Sequence, residues 1–141
     1  MFIAGHLIKP DRTGYWGVEI QALDILTQGK TRRNALAMTK EAVELLAEAE
    51  GYANLNVTIT PAEGDVFFVG SDDPKTLIAF MLRRLRKRRG LTIEQVANRM
   101  GSASKNAYAR YEQGKSAPSF EKLDEVLNAI DPGSRMYLNV A

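Results

Sequence analysis

The chain of 141 residues has no cysteine and only one histidine, His6. Without cysteine, disulfide staples and thiolate metal sites are excluded. With a single histidine, a metal site would have to be built from carboxylates alone. No apolar run approaches the ~20 residues that cross a bilayer. The first residues, Met1 to His6, lack the basic-then-apolar order of a secretory signal, so a cytoplasmic protein is expected. A Gly-rich phosphate loop and a nucleophile motif are both missing. Glu41, Glu44 and Glu48 share a helix neighbourhood by spacing, but they read better as a solvated face than as an acidic site. The expectation is therefore a protein that is not an enzyme, with no cofactor and no metal.

What is present suits a globular chain: 45% of the residues are hydrophobic and 26% charged. The overall charge of +2 conceals an asymmetry. Residues 1–70 hold 6 Lys/Arg against 9 Asp/Glu, a balance of −3, while residues 71–141 hold 13 against 8, a balance of +5. Halves of opposite sign suggest different partners, and the basic one suits a polyanion. The turn-forming Ser71-Asp72-Asp73-Pro74 is the natural boundary, giving expected domains of 1–70 and 71–141.

In the first half, Phe2 to Ile8 and Tyr15 to Ile20 are short apolar-rich runs joined by the turn residues Pro10 to Gly14. A third run, Leu23 to Thr27, ends at Gln28-Gly29-Lys30. Thr31 then caps a helix reaching about Glu50, with Leu36, Thr39, Val43 and Leu46 on one face. Asn56 to Thr60 and Val66 to Val69 return to strand. The order β-β-β-α-β(-β) predicts a small antiparallel sheet with one covering helix.

The second half is helical up to Asp131-Pro132-Gly133. Leu77, Ile78, Met81, Leu82 and Leu85 form the stripe of its first helix, and Arg83, Arg84 and Arg86 to Arg89 crowd the rest. Thr92-Ile93-Glu94-Gln95 has the pattern of a capping box opening a short second helix. Gly101 ends that helix, a third runs from about Lys105 to Gln113, and Pro118-Ser119 opens a fourth. The whole is an α+β chain followed by an all-α unit. The last segment, Met136 to Val140, alternates in polarity and reads either as a short strand needing a partner or as a frayed tail.

Leu91-Thr92, Ala97, Met100-Gly101, Tyr108-Ala109-Arg110-Tyr111-Glu112-Gln113-Gly114 and Pro118-Ser119 together resemble the Xre/phage-repressor type of helix-turn-helix domain, over about residues 76–130. The resemblance implies that the third helix lies in the major groove of duplex DNA. Ser104, Lys105, Asn106 and Arg110 would face the DNA, with Arg88 and Lys115 in the same set, and Tyr108 and Tyr111 would point inward. Lys and Arg donate to guanine, Asn pairs with adenine, and Ser serves either base or phosphate. Between Gly101 and Tyr108 the spacing is one residue longer than is usual in that family.

A second resemblance covers about residues 1–60. Gly14-Tyr15-Trp16-Gly17-Val18-Glu19-Ile20, Leu26-Thr27-Gln28-Gly29-Lys30-Thr31 and the helix from Asn34 through Glu41-Ala42 to Leu45 are similar to HicB-type antitoxin domains. That implies a partial ribonuclease H-like fold without its activity. It also implies a toxin-binding role for the half that carries Tyr15, Trp16, Thr27 and Gln28. The family's Pro-x-Leu-Pro-Gly-Cys segment is replaced here by Gln21-Ala22-Leu23-Asp24-Ile25. Together the resemblances imply an antitoxin of a HicAB pair. Such a protein silences a small basic ribonuclease toxin, represses its own operon and assembles as a homodimer or higher even oligomer. The alternative is a stand-alone repressor whose first domain senses a ligand or dimerises.

Overall fold

A computed structural model describes residues 1–101 and 105–137. Among the described residues, five strands are followed and interrupted by five helices: β1 (Phe2–Ile8), β2 (Trp16–Ile20), β3 (Ile25–Gly29), α1 (Arg32–Ala49), β4 (Val57–Pro61), β5 (Val66–Ser71), α2 (Pro74–Arg88), α3 (Ile93–Arg99), α4 (Lys105–Glu112) and α5 (Phe120–Ile130). A single 3-10 turn, Gln21–Leu23, links β2 to β3. The strands form one sheet in the order β3-β2-β1-β5-β4, with every neighbouring pair antiparallel. The α+β class follows, with the element order expected for the first half.

Alternation sets the faces. Ile3, Leu7, Val18, Ile20, Ile25, Val57, Phe67 and Val69 are buried on the side covered by α1 and α2. The residues between them point the other way, as period-two geometry requires. Helix α1 begins where Thr31 accepts from the Asn34 amide at 3.0 Å, and the Asn34 side chain accepts in turn from the Lys30 amide. Its buried stripe is Ala35, Thr39, Val43 and Ala47, with Leu36, Ala42 and Leu46 packed alongside. The seating of α1 depends on Gly29. A Cβ there would lie 2.4 Å from the Ala35 amide nitrogen, so only glycine lets the first turn of α1 press onto β3. Gln28 and Gly29, where the third run was expected to end, are strand residues paired with Gly17 and Trp16, while Leu23, expected to open that run, lies in the 3-10 turn. The chain turns one residue later, at Lys30.

The sequence boundary at Ser71–Pro74 is a local turn that leaves the core unbroken. Asp73 caps α2 by accepting from the Thr76 amide at 3.1 Å, and Pro74 occupies the first turn, where its missing N–H costs nothing. Beyond that, Leu77, Ile78, Ala79, Phe80, Met81 and Leu82 are all buried. Six consecutive buried residues go all the way round a helix. Accordingly α2 packs on β5 and the 3-10 turn on one side, and on α4 and α5 on the other. The expected stripe of α2 is present, but Ala79 and Phe80 add a second buried face that joins the sheet to the helical half. Met136 and Tyr137 form no strand, and residues 138–141 lie outside the described residues.

Candidate nucleic-acid interface

Helices α3 and α4 are short, and each is fixed by local chemistry. The capping box at α3 is complete: Thr92 Oγ1 accepts from the Gln95 amide at 3.1 Å, and Gln95 Oε1 accepts from the Thr92 amide at 2.9 Å. Val96 and Ala97 bury its inner side. Arg99 at its end donates to the Ala129 carbonyl, tying α3 to α5. Helix α4 buries Tyr108 and Glu112, with Tyr111 half-buried, so both tyrosines turn inward as the resemblance implied. Gly114, at φ +67°, allows Lys115 N–H to return to the Arg110 carbonyl at 3.0 Å and stops the chain sharply.

The inward side of α4 rests on a buried charge pair. Glu112, only 4% exposed, receives Arg86 through Nε and through Nη2 at 3.0 Å, and also receives the Tyr108 hydroxyl. Arg86 donates further to the Leu91 carbonyl at 2.7 Å. The hydrogen bond to Glu112 holds the Arg86 guanidinium above its ordinary pKa, and burial pushes the Tyr108 hydroxyl well up. From the first half, the Tyr52 hydroxyl donates to the Glu112 carbonyl and approaches the Ala79 carbonyl at 3.3 Å. Burial first, and the Glu112 charge second, raise its pKa to about 12. The C-terminal end of α4 is thus fastened both to α2 and to the sheet-bearing half.

With that side anchored, the outward side of α4 presents Lys105, Asn106, Ala107 and Arg110, all exposed, and Lys115 is exposed just beyond the stop. At 100° per residue Asn106 and Arg110 lie near the middle of this face. Gln113, also exposed and three residues after Arg110, continues the row. It was not among the expected contacts, although its i+3 and i+7 spacing from Arg110 and Asn106 carried the signal. Ser104 lies outside the described residues. Arg110 and Lys105 can donate to guanine or phosphate, and Asn106 and Gln113 can engage adenine in a bidentate manner.

Arg88 is placed elsewhere. Its guanidinium donates to the Gln21 carbonyl at 3.2 Å and lies 3.7 Å from Asp24. The rest of the α2 arginine run is also engaged within the molecule. Arg84 donates to the Leu23 and Asp24 carbonyls and pairs with Glu50 at 2.9 Å. Arg83 sits 3.3 Å from Glu50 and over the Tyr52 ring, and Arg89 pairs with Asp131. The basic run, of which the resemblance set Arg88 among the DNA-facing residues, serves mainly to lock α2 onto acidic and carbonyl groups of both halves.

The four residues expected at a toxin surface do not share one face. Trp16 and Thr27 point to the helix-covered side and are half-buried, Gln28 is exposed on the opposite side, and Tyr15 is 40% exposed ahead of β2. His6 lies exposed on the uncovered side, opposite Glu19. Among the described residues, no helix is long and apolar enough to cross a membrane.

A capped short helix followed by an anchored helix with a polar outer face defines a helix-turn-helix of the DNA-binding kind. The comparison with protein families agrees: residues 82–134 match the family model described as Helix-turn-helix. This supports the resemblance of the C-terminal part to Xre-like domains, a helix-turn-helix type that suggests a DNA-binding transcription regulator. No curated protein matches the chain.

Proposed function

We propose that the chain is the antitoxin of a HicAB-type pair, which represses its own operon through α4 and silences a small basic ribonuclease through residues 1–70. The observation that carries the DNA part is the outward row Lys105, Asn106, Arg110 on a helix whose other side is fixed by Glu112. For the antitoxin part, support comes from the three-stranded β1-β2-β3 meander followed by a covering helix, which suits a partial ribonuclease H-like arrangement. The acidic balance of residues 1–70 also favours a basic partner. Along the outer side of α1, Glu41, Leu45 and Glu48 line a shallow groove together with the Lys40–Glu44 ion pair, which leaves Glu41 and Glu48, among the described residues, as its unpaired carboxylates beside one exposed leucine. The first half then acts by contact and not by catalysis, and the protein works without cofactor or metal.

The second reading is a stand-alone repressor whose first half dimerises, favoured by the uncovered face of the sheet. Co-expression with the neighbouring gene separates the two. If that gene encodes a small basic protein whose toxicity full-length protein relieves, the antitoxin reading holds. Charge reversal at Glu41 and Glu48 should then weaken the rescue. A harmless neighbour, or toxicity that the full-length protein does not relieve, argues for the plain repressor, whereas rescue unchanged by those substitutions moves the toxin contact off the outer side of α1.

A further inference from the structure

Glu112 closes α4, and the last four carbonyls of a helix have no partner inside it. The Glu112 carbonyl takes its hydrogen bond from the other half of the chain. The Tyr52 hydroxyl donates to it at 2.5 Å, across 60 residues of sequence and from well outside the helix-turn-helix. Burial, and then the Glu112 charge, hold that hydroxyl at a pKa of about 12, so it stays a donor near neutral pH.

The ring alone would serve packing. It meets Phe80 edge-on, and Arg83 lies over it at 6.0 Å from the centroid; phenylalanine would keep both contacts. A buried hydroxyl costs free energy unless it is hydrogen-bonded, and the short contact of this one is on α4. The residue is also held firmly from behind. Gly51, at φ +93°, ends α1, and the Tyr52 N–H returns to the Ala47 carbonyl at 2.9 Å. Glu50, just before, pairs with Arg84 at 2.9 Å and has Arg83 at 3.3 Å and Lys87 at 3.8 Å, which clamps the end of α1 to α2.

We infer that Tyr52 is a positioning residue for sequence reading: it sets the last turn of α4 and, through it, the aim of Arg110. The inference rests on the assignment of α4 as the reading helix. Arg110 stands two residues before Glu112, and its own carbonyl accepts from the Lys115 N–H at 3.0 Å in the turn that follows. A helix of eight residues has little stability of its own, so its orientation comes from what holds it. A side chain that reads a base edge has to be placed within about 0.5 Å, whereas phosphate contacts carry no sequence information and act largely through charge. Part of the sequence reader thus resides in residues 1–70.

The test is the ratio of the affinities of full-length protein for duplex from upstream of its gene and for a scrambled duplex, at one salt concentration. Tyr52→Phe removes one oxygen and should lower that ratio about two- to tenfold, as the loss of one hydrogen bond does, with the scrambled-duplex affinity little changed. A smaller folded fraction divides both affinities by one factor and leaves the ratio alone, so a weakened fold neither hides nor imitates the effect. Val43→Ala, which opens a cavity in the buried stripe of α1, should therefore destabilise the protein and keep the ratio. In an Arg110→Ala background, Tyr52→Phe should lower the ratio by less than about twofold, because the side chain it aims is gone. An unchanged ratio, an equal loss in both affinities, or the full loss retained without Arg110 overturns the inference. A wild type with no preference for the upstream duplex strikes the DNA-binding reading itself, and this inference with it.

Discussion

Replacing Glu112 by alanine is expected to destabilise the full-length protein by about 3–5 kcal/mol. The carboxylate is buried and holds both the Arg86 guanidinium and the Tyr108 hydroxyl. Its removal leaves a cation that is itself mostly buried, with only the Leu91 carbonyl as partner, and an unpaired phenol beside it. An uncompensated buried charge costs far more than the pair contributed while intact. Glu112→Gln keeps an acceptor and should lose less than alanine does. Arg86→Lys keeps the charge but not the fork that reaches both carboxylate oxygens, and it should fall between wild type and Glu112→Ala. Urea denaturation of the three variants checks the order. A loss below about 1 kcal/mol for Glu112→Ala would mean that Arg86 finds solvent on its own, at odds with the packing of α4 described above.

Phe80→Ala should have an effect of similar size, about 3–5 kcal/mol, through loss of buried surface and the cavity left behind. Phe80 is fully buried and meets the Tyr52 ring edge-on at 5.7 Å between centroids. Because it stands where α2 joins the sheet to the helical half, the substitution should weaken both halves together. Unfolding followed by Trp16 fluorescence, which reports the sheet, and by circular dichroism, which reports mainly the helices, should shift by the same amount. Two separate transitions, with the Trp16 signal unmoved, would show that the halves fold independently and that the shared α2 core adds little.

These two residues mark where sequence reading stops. The strands, the Thr31 and Thr92 caps and the element order were legible because they depend on neighbours within four residues or on period-two alternation. The inward turn of Tyr108 was legible through the helix-turn-helix resemblance. The destinations of the α2 arginines were not. Arg84 reaches Leu23, Asp24 and Glu50 across 34 to 61 residues of sequence, and no local pattern tells such a contact from a solvated cation. Phe80 fell outside the apolar stripe because a stripe presumes one buried face, whereas α2 is enclosed. The scatter of Tyr15, Trp16, Thr27 and Gln28 has a similar origin. Motif residues adjacent in a strand point to opposite sides, and Gly29 owes its place in the motif to the close approach of α1.

The assignment of α4 is tested most directly by how full-length protein binds duplex DNA from upstream of its own gene, compared with a scrambled duplex, across a range of salt. Binding to the upstream DNA should be the tighter, and its log affinity should fall linearly with log salt, with a slope of about −0.9 for each phosphate neutralised. Asn106→Ala and Arg110→Ala should each remove about 1–3 kcal/mol of preference at a particular base pair. Arg88→Ala, whose side chain is turned onto Gln21 and Asp24, should leave that preference intact. Binding that is insensitive to salt, or α4 variants that weaken upstream and scrambled DNA equally, would contradict the assignment of α4 as the helix that reads DNA.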